Sequence, residues 1–252
     1  MKPMNPRNAL ARFIGAAVLV LPASLHAASI TLDWNAVSWI SGALAQSFDI
    51  DPANPGNDVT DTVIDSAGRI AQAVSTTTLI TGGVSATNKT LQLVPNFLTN
   101  QESISVRIDF LYPAGVRDVS YFIHDIDGNL SAWQEEVRGI SATGNTLPNF
   151  PPTSLLRTGA TPTFQITGTG LAQLLTATSE ASDDSNNGTA SVSFGTALVR
   201  TTGFTSGAAT AGNFDPIESG IALGNLTYNN VPEPSSALLL LSALALAGFR
   251  RR

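Results

Sequence analysis

Polar and apolar residues alternate with period two through much of the chain. The clearest run is Ser103–Phe110, in which Ile104, Val106, Ile108 and Phe110 fall on one face and Ser103, Ser105, Arg107 and Asp109 on the other. Successive side chains of a strand point to opposite faces, so this alternation predicts a half-buried antiparallel strand with one side on a core. Shorter runs rich in β-branched and aromatic residues, at 29–33, 59–64, 69–74, 77–81, 90–94, 117–124, 135–141, 162–167, 189–194, 198–204 and 221–228, read as strands by the same rule. Between them Gly, Pro, Asn and Asp gather at 51–58, 81–83, 127–129, 149–152 and 182–188, where the chain must turn. Only 171–177 suggests helix, of one turn or two.

Many short strands with almost no helical period predict an all-β fold, an antiparallel β-sandwich of jelly-roll kind over residues 28–230. No linker divides that stretch.

The two ends follow other patterns. Lys2, Arg7 and Arg12 precede an apolar run at 13–21, then Pro22 and small residues up to Ala27. A basic start, a short apolar stretch and a small residue at the cut predict a secretory signal peptide over 1–27 and a mature chain beginning at Ala28. At the other end, 231–252 sets Pro232, Glu233 and Pro234 before an apolar run at 237–249 and closes on Arg250, Arg251 and Arg252. As a helix that run is about 20 Å long against a hydrocarbon core of about 30 Å, a marginal span whose arginines stay cytoplasmic.

This order of Pro-Glu-Pro, apolar helix and arginine cluster resembles the PEP-CTERM sorting signal of Gram-negative bacteria. The resemblance implies export across the inner membrane, transient anchoring there, and an exosortase-type membrane protease as the partner that processes the tail. It further implies delivery to the cell surface or to the exopolysaccharide of a biofilm matrix. Within the body, the stretch 121–128 with its Asp-Ile-Asp ending, followed by 133–137, resembles β-sandwich domains of bacterial surface proteins.

Charge changes the picture once the ends are set aside. Seven Lys and Arg then stand against eighteen Asp and Glu, a net charge of about −11 for the body where the whole chain carries −6. Such a body repels nucleic acid and anionic lipid heads, so no nucleic-acid partner is expected. The chain has no cysteine, which excludes disulfides, thiolate metal sites and a cysteine nucleophile.

Candidate chemistry concentrates after the strand at 117–124. Asp125, Asp127 and Asn129 alternate around a turn and Glu135 follows, oxygen donors that would supply part of a calcium shell. The reading favoured over this is a strand ending in a turn whose Asp and Asn side chains bond their own backbone. A second acidic stretch, with Asp49, Asp51, Asn54, Asn57, Asp58 and Asp61, reads as a solvated loop. His124 is the only histidine of the body and lacks a Gly-x-Ser-x-Gly partner motif, which favours a structural histidine. Trp34 and Trp39 read as core residues, whereas Trp133, in a polar run, offers a flat face on which a sugar could stack.

These observations lead to one expectation and one alternative. The expectation is a non-enzymatic exported surface or matrix protein that binds extracellular polysaccharide, with calcium as its candidate cofactor. The alternative is an extracellular glycan hydrolase using a carboxylate pair drawn from Asp125, Asp127, Glu135 and Glu136.

Overall fold

Residues 29–129, 133–145, 148–209 and 220–231 are described by the computed structural model. The expected signal peptide and the sorting segment with its apolar helix lie outside them, and among the described residues no helix is long and apolar enough to cross a membrane. The strands in chain order are β1 (Ser29–Leu32), β2 (Ala45–Phe48), β3 (Val59–Ile64), β4 (Ile70–Thr77), β5 (Thr90–Pro95), β6 (Ser103–Phe110), β7 (Val116–His124), β8 (Glu135–Thr143), β9 (Ser154–Arg157), β10 (Phe164–Thr167), β11 (Leu174–Ala177), β12 (Ala190–Ser193), β13 (Thr201–Ala208) and β14 (Ile221–Asn230).

They form two antiparallel sheets. One runs β4-β5-β14-β7-β12-β9, with β1 lying beside β14 in line with β5, and the other runs β10-β11-β8-β13-β6-β3-β2. From β6 onward the chain changes sheet at every link except β10 to β11, so the sandwich is stitched by its own crossings. The inward residues of β6, Ile104, Val106, Ile108 and Phe110, are those its alternation predicted, and all are buried. Across the gap Phe110 meets Tyr228 edge to face at 5.0 Å, Tyr121 lies against Phe204 at 6.5 Å, and Trp34 meets Phe48 at 5.8 Å. Buried aromatic pairs of this kind add about 0.5–1.5 kcal/mol each beyond the area they remove from water.

The departures from expectation have local causes. β2 and β9 were not foreseen because each has only four residues and little alternation. At 171–177, where helix was expected, Gly170–Ala172 makes a single 3₁₀ turn, and Leu174–Ala177 then pairs with β8 and β10. The segment 77–81 is not a strand, since β4 ends at Thr77 and the chain turns toward Asp183.

The stretch 49–61 is not a solvated loop: Asp51, Asp58 and Asp61 are buried. Asp58 accepts the amides of Ile50 and Asp51 at 2.7 and 2.6 Å on one oxygen and the Asn54 amide at 2.6 Å on the other. Asp51 accepts the Tyr112 hydroxyl at 3.1 Å and the Asn230 amide at 2.9 Å. Both carboxylates thus replace water with protein donors, which makes burial tolerable.

Asp61 has no such arrangement. Strand alternation points it inward between Val59 and Val63, opposite Ile108 and Gln46, and neither of its oxygens has a hydrogen-bond partner. The Gln46 amide is spent on Ser38 and Ile40. Burial, with the charge of Asp109 second, pushes the Asp61 carboxyl up to about 8. The folded protein therefore holds a proton that the unfolded chain releases near the ordinary carboxylate value. Asp61 thus lowers stability progressively as pH rises from about 4 to about 8 and not below. Asp61→Asn is expected to raise stability by about 1–3 kcal/mol near pH 8 and by clearly less near pH 5. Urea unfolding at the two pH values checks this, and an equal or negative effect at both would refute it.

Candidate functional site

β7 ends on His124, and residues 125–134 lead from its sheet to β8 in the other. His124 is buried, and its Nδ1 pairs with the Thr189 hydroxyl at 2.9 Å. Its ring lies between two backbones: a Cβ on Gly82 would overlap Nδ1, and one on Gly224 would overlap Nε2. Phe122 stacks near-parallel to the ring at 5.9 Å. Burial holds the imidazole down at about 4, so it is neutral at physiological pH and has no free path to a substrate.

Asp125 takes a left-handed backbone conformation, φ 66°, one of two non-glycine residues that do so among those described. This kink, which Asp tolerates better than most side chains, turns the chain out of β7. Several of the described residues that follow are pinned. Ile126 donates to Gly188 and accepts from the Thr163 hydroxyl, Gly128 donates to Ser179, and Glu135 donates to the Asp127 carbonyl. The Asp127 carboxylate accepts the Ala181 amide at 2.6 Å, and the Glu135 carboxylate accepts the Asp127 amide at 3.4 Å.

The acids of this crossing are partly robbed of water. Burial, then the charges of Asp127 and Asp183, push Asp125 up to about 8. Burial and the charges of Asp183 and Glu180, opposed by the Ala181 amide, leave Asp127 at about 6. The structure therefore brings Asp127 and Glu135 together with Asp125 nearby. Asn129 and Trp133 are half-buried at the end of the crossing, where the Trp133 amide donates to the Asn129 carbonyl at 2.7 Å. Among the described residues no three of His, Asp and Glu gather as a set that could hold a metal ion. The calcium expectation for Asp125, Asp127, Asn129 and Glu135 therefore draws no support from the side-chain geometry.

Glu136 is paired with Arg138 at 2.7 Å, and Asp127, Glu135 and Glu136 are all buried. Trp34 and Trp39 belong to the core, as expected, with indole N–H groups donating to the carbonyls of Gly224 and Ala43.

A feature that sequence reasoning missed lies on the opposite surface. The outward residues of β6, β13 and β8 align in rows, Asp109–Thr201–Thr143, Arg107–Gly203–Ser141 and Ser105–Thr205–Arg138. Gly203, lacking a side chain, and a bulge in β8 at Gly139, φ 64°, open a trough of about 190 Å³ between these rows. The polar face of Ser103–Phe110 was its only signal in the sequence, and nothing there announced which strands would lie beside it.

Two comparisons with known proteins bear on the chain. The family described as PEP-CTERM protein-sorting motif matches residues 230–252. The chain thus carries a signal that implies export, sorting at the C-terminus, processing by the membrane enzyme exosortase, and transient anchoring before surface display. Its residues Pro232, Glu233, Pro234 and Arg250 to Arg252 fall outside the described part. Among solved structures, the K1 cleaved adhesin domain of Lys-gingipain from Porphyromonas gingivalis W83 is similar at 13% identity, over 81% of this chain and 99% of that one, with a TM-score of 0.30. That likeness is too low to bear on fold or ligand. No curated protein matches the chain.

The clamp on His124 sets a sharp requirement. Gly82→Ala places a methyl inside the ring at a backbone angle, φ 59°, that side chains rarely adopt. A loss of at least about 2 kcal/mol is expected from the overlap and strain together. Urea unfolding measures it, and a change within about 0.5 kcal/mol, typical of a surface site, would show the clamp to be loose.

Proposed function

We propose that the mature body is a non-enzymatic protein of the cell surface or extracellular matrix, and that it holds polysaccharide there. One observation supports the non-enzymatic half: three of the four carboxylates of the candidate catalytic set, Asp127, Glu135 and Glu136, are buried with the body's only histidine, and each has a hydrogen-bond or ion-pair partner within the protein. A glycosidase needs two carboxyl groups flanking an accessible bond, one of them free to give up and regain a proton. Asp127 and Glu135 hold each other through backbone amides, and both are buried.

The polysaccharide half rests on the sorting motif and on the surface chemistry. A body of net charge about −11 is a poor ligand for anionic polymers or membranes, but a neutral, hydroxyl-rich chain pays no such repulsion. Outward side chains of the β6 sheet are dominated by Ser and Thr, hydrogen-bonding groups of the kind that hydroxylated polymers meet.

Two measurements test this reading in cells and in solution. Deleting residues 232–252 is expected to move the protein from the envelope to the medium without loss of folding; unchanged retention counts against sorting by the tail. Incubated with the host's own extracellular polysaccharide, the protein is expected to bind without shortening it. Chain shortening that Glu135→Gln abolishes, with folding intact, would replace the proposal by a hydrolase.

A further inference from the structure

We propose that the trough over Gly203 is the polysaccharide-binding site, and that it takes a segment of neutral glycan, with the Arg107–Asp109 pair gripping neighbouring sugar hydroxyls. This deepens the reading above and rests on it.

The floor comes from backbone geometry. A Cβ on Gly203 would overlap the Val106 carbonyl, so this position stays bare, and the β8 bulge at Gly139 draws the neighbouring strand's side chains apart. The walls are Ser105, Ser141, Thr143 and Thr205, with Arg107 at one side. At about 190 Å³ the trough is smaller than the roughly 300–1,000 Å³ of enclosed small-molecule sites, and it opens along the sheet surface. A polymer lying across the strands with one ring seated suits that shape; an engulfed metabolite does not.

The polar pair supplies the selectivity. Arg107 donates through Nε and Nη2 to Asp109 Oδ1, at 3.0 and 2.8 Å, and the Thr201 hydroxyl reaches the same oxygen at 2.8 Å. Three donors on Oδ1 leave Oδ2 as an acceptor, and Arg107 Nη1 remains as a donor on a side chain that is 56% exposed. A fixed donor beside a fixed acceptor matches two adjacent sugar hydroxyls, one accepting and one donating. Because Asp109 already neutralises Arg107 and the body is strongly acidic, a uronate or sulfated chain gains no net attraction here. Neutral glycan is therefore the ligand class.

The test uses the full chain in mild detergent, with a set of neutral probes (dextran, laminarin and a galactan) and polygalacturonate as the anionic probe, read by affinity electrophoresis with circular dichroism on every variant. At least one neutral polymer is expected to retard the protein, with polygalacturonate inert. Arg107→Ala and Ser141→Trp are each expected to weaken that retardation tenfold or more. Ser191→Trp, on the outward face of β12 in the other sheet, leaves it unchanged. If Ser141→Trp disturbs the fold, Arg107→Ala decides alone. Retardation that survives both variants overturns the trough; if Trp133→Ala abolishes it instead, polysaccharide binding stands and only its location falls. Retardation by polygalacturonate alone, or by none of the probes, overturns the proposal.

Discussion

A buried backbone amide or carbonyl must find a partner inside the protein, and this requirement governs the sandwich wherever the chain leaves one sheet for the other. From β6 to β14 it does so almost at every loop, and each crossing lacks ladder partners of its own. The acidic residues answer that need. Asp65 gathers the amides of Arg69 and Ile70 between β3 and β4, Asp127 that of Ala181 between β11 and β12, and Asp58 does the same for Ile50 and Asp51 in the loop that joins β2 to β3 within one sheet. With no disulfide available to fix these crossings, side-chain acceptors and the apolar interface do so together. Much of the body's negative charge is thereby structural. A carboxylate bonded to two amides is held in one orientation.

How far the sequence could be read follows from where the partners lie. β6 was plain because its inward and outward faces differ at every step, a local property of Ser103–Phe110. β14 and β3 were found within a residue or two for the same reason. β2, with the pattern Ala-Gln-Ser-Phe, has no local signature and becomes a strand only because β3 stands beside it. The stretch 49–61 was misread because composition speaks for solvent there, while the donors that bury Asp51, Tyr112 and Asn230, come from strands and loops far along the chain. The turn after His124 was legible as a polar bend, but the backbone amide that the Asp127 carboxylate accepts is that of Ala181, far along the chain. Its alternative, a calcium shell, depends on whether side chains converge, which spacing does not determine.

Asp61 stands apart from this economy. It occupies an inward strand position that a valine would fill, with no donor to meet it. No contact in the structure accounts for it. Its neighbour across the ladder, β2, is an edge strand of four residues, so the burden falls at the margin of the sheet, where local opening is least costly. The same margin shows how the sandwich keeps its edges from templating other chains. β2, β9 and β10 are short, and the longer edge strand β4 twice slips register against β5. Short or bulged edges offer little to a passing strand.

The proposed reading places recognition on the sheet faces. The two differ in kind. On the outward side of the β7 sheet, Phe122 and Leu156 flank Ser191 in one row, an isolated apolar strip beside serines. On the β6 sheet, hydroxyls are interleaved with two arginine–carboxylate pairs, Arg107–Asp109 and Arg138–Glu136, each joining residues two apart on one strand. Pairing within a strand fixes both charges on one face at little cost in side-chain freedom, and cancels their long-range field while keeping their hydrogen-bonding capacity. These pairs therefore add little to the long-range field of the acidic body and act by contact. Such contacts are weak singly, so useful affinity has to come from repetition along a polymer or from many copies held close together. On the proposed reading, a protein delivered to a surface by a C-terminal signal meets the second condition by where it is sent, which would tie its sorting to its binding.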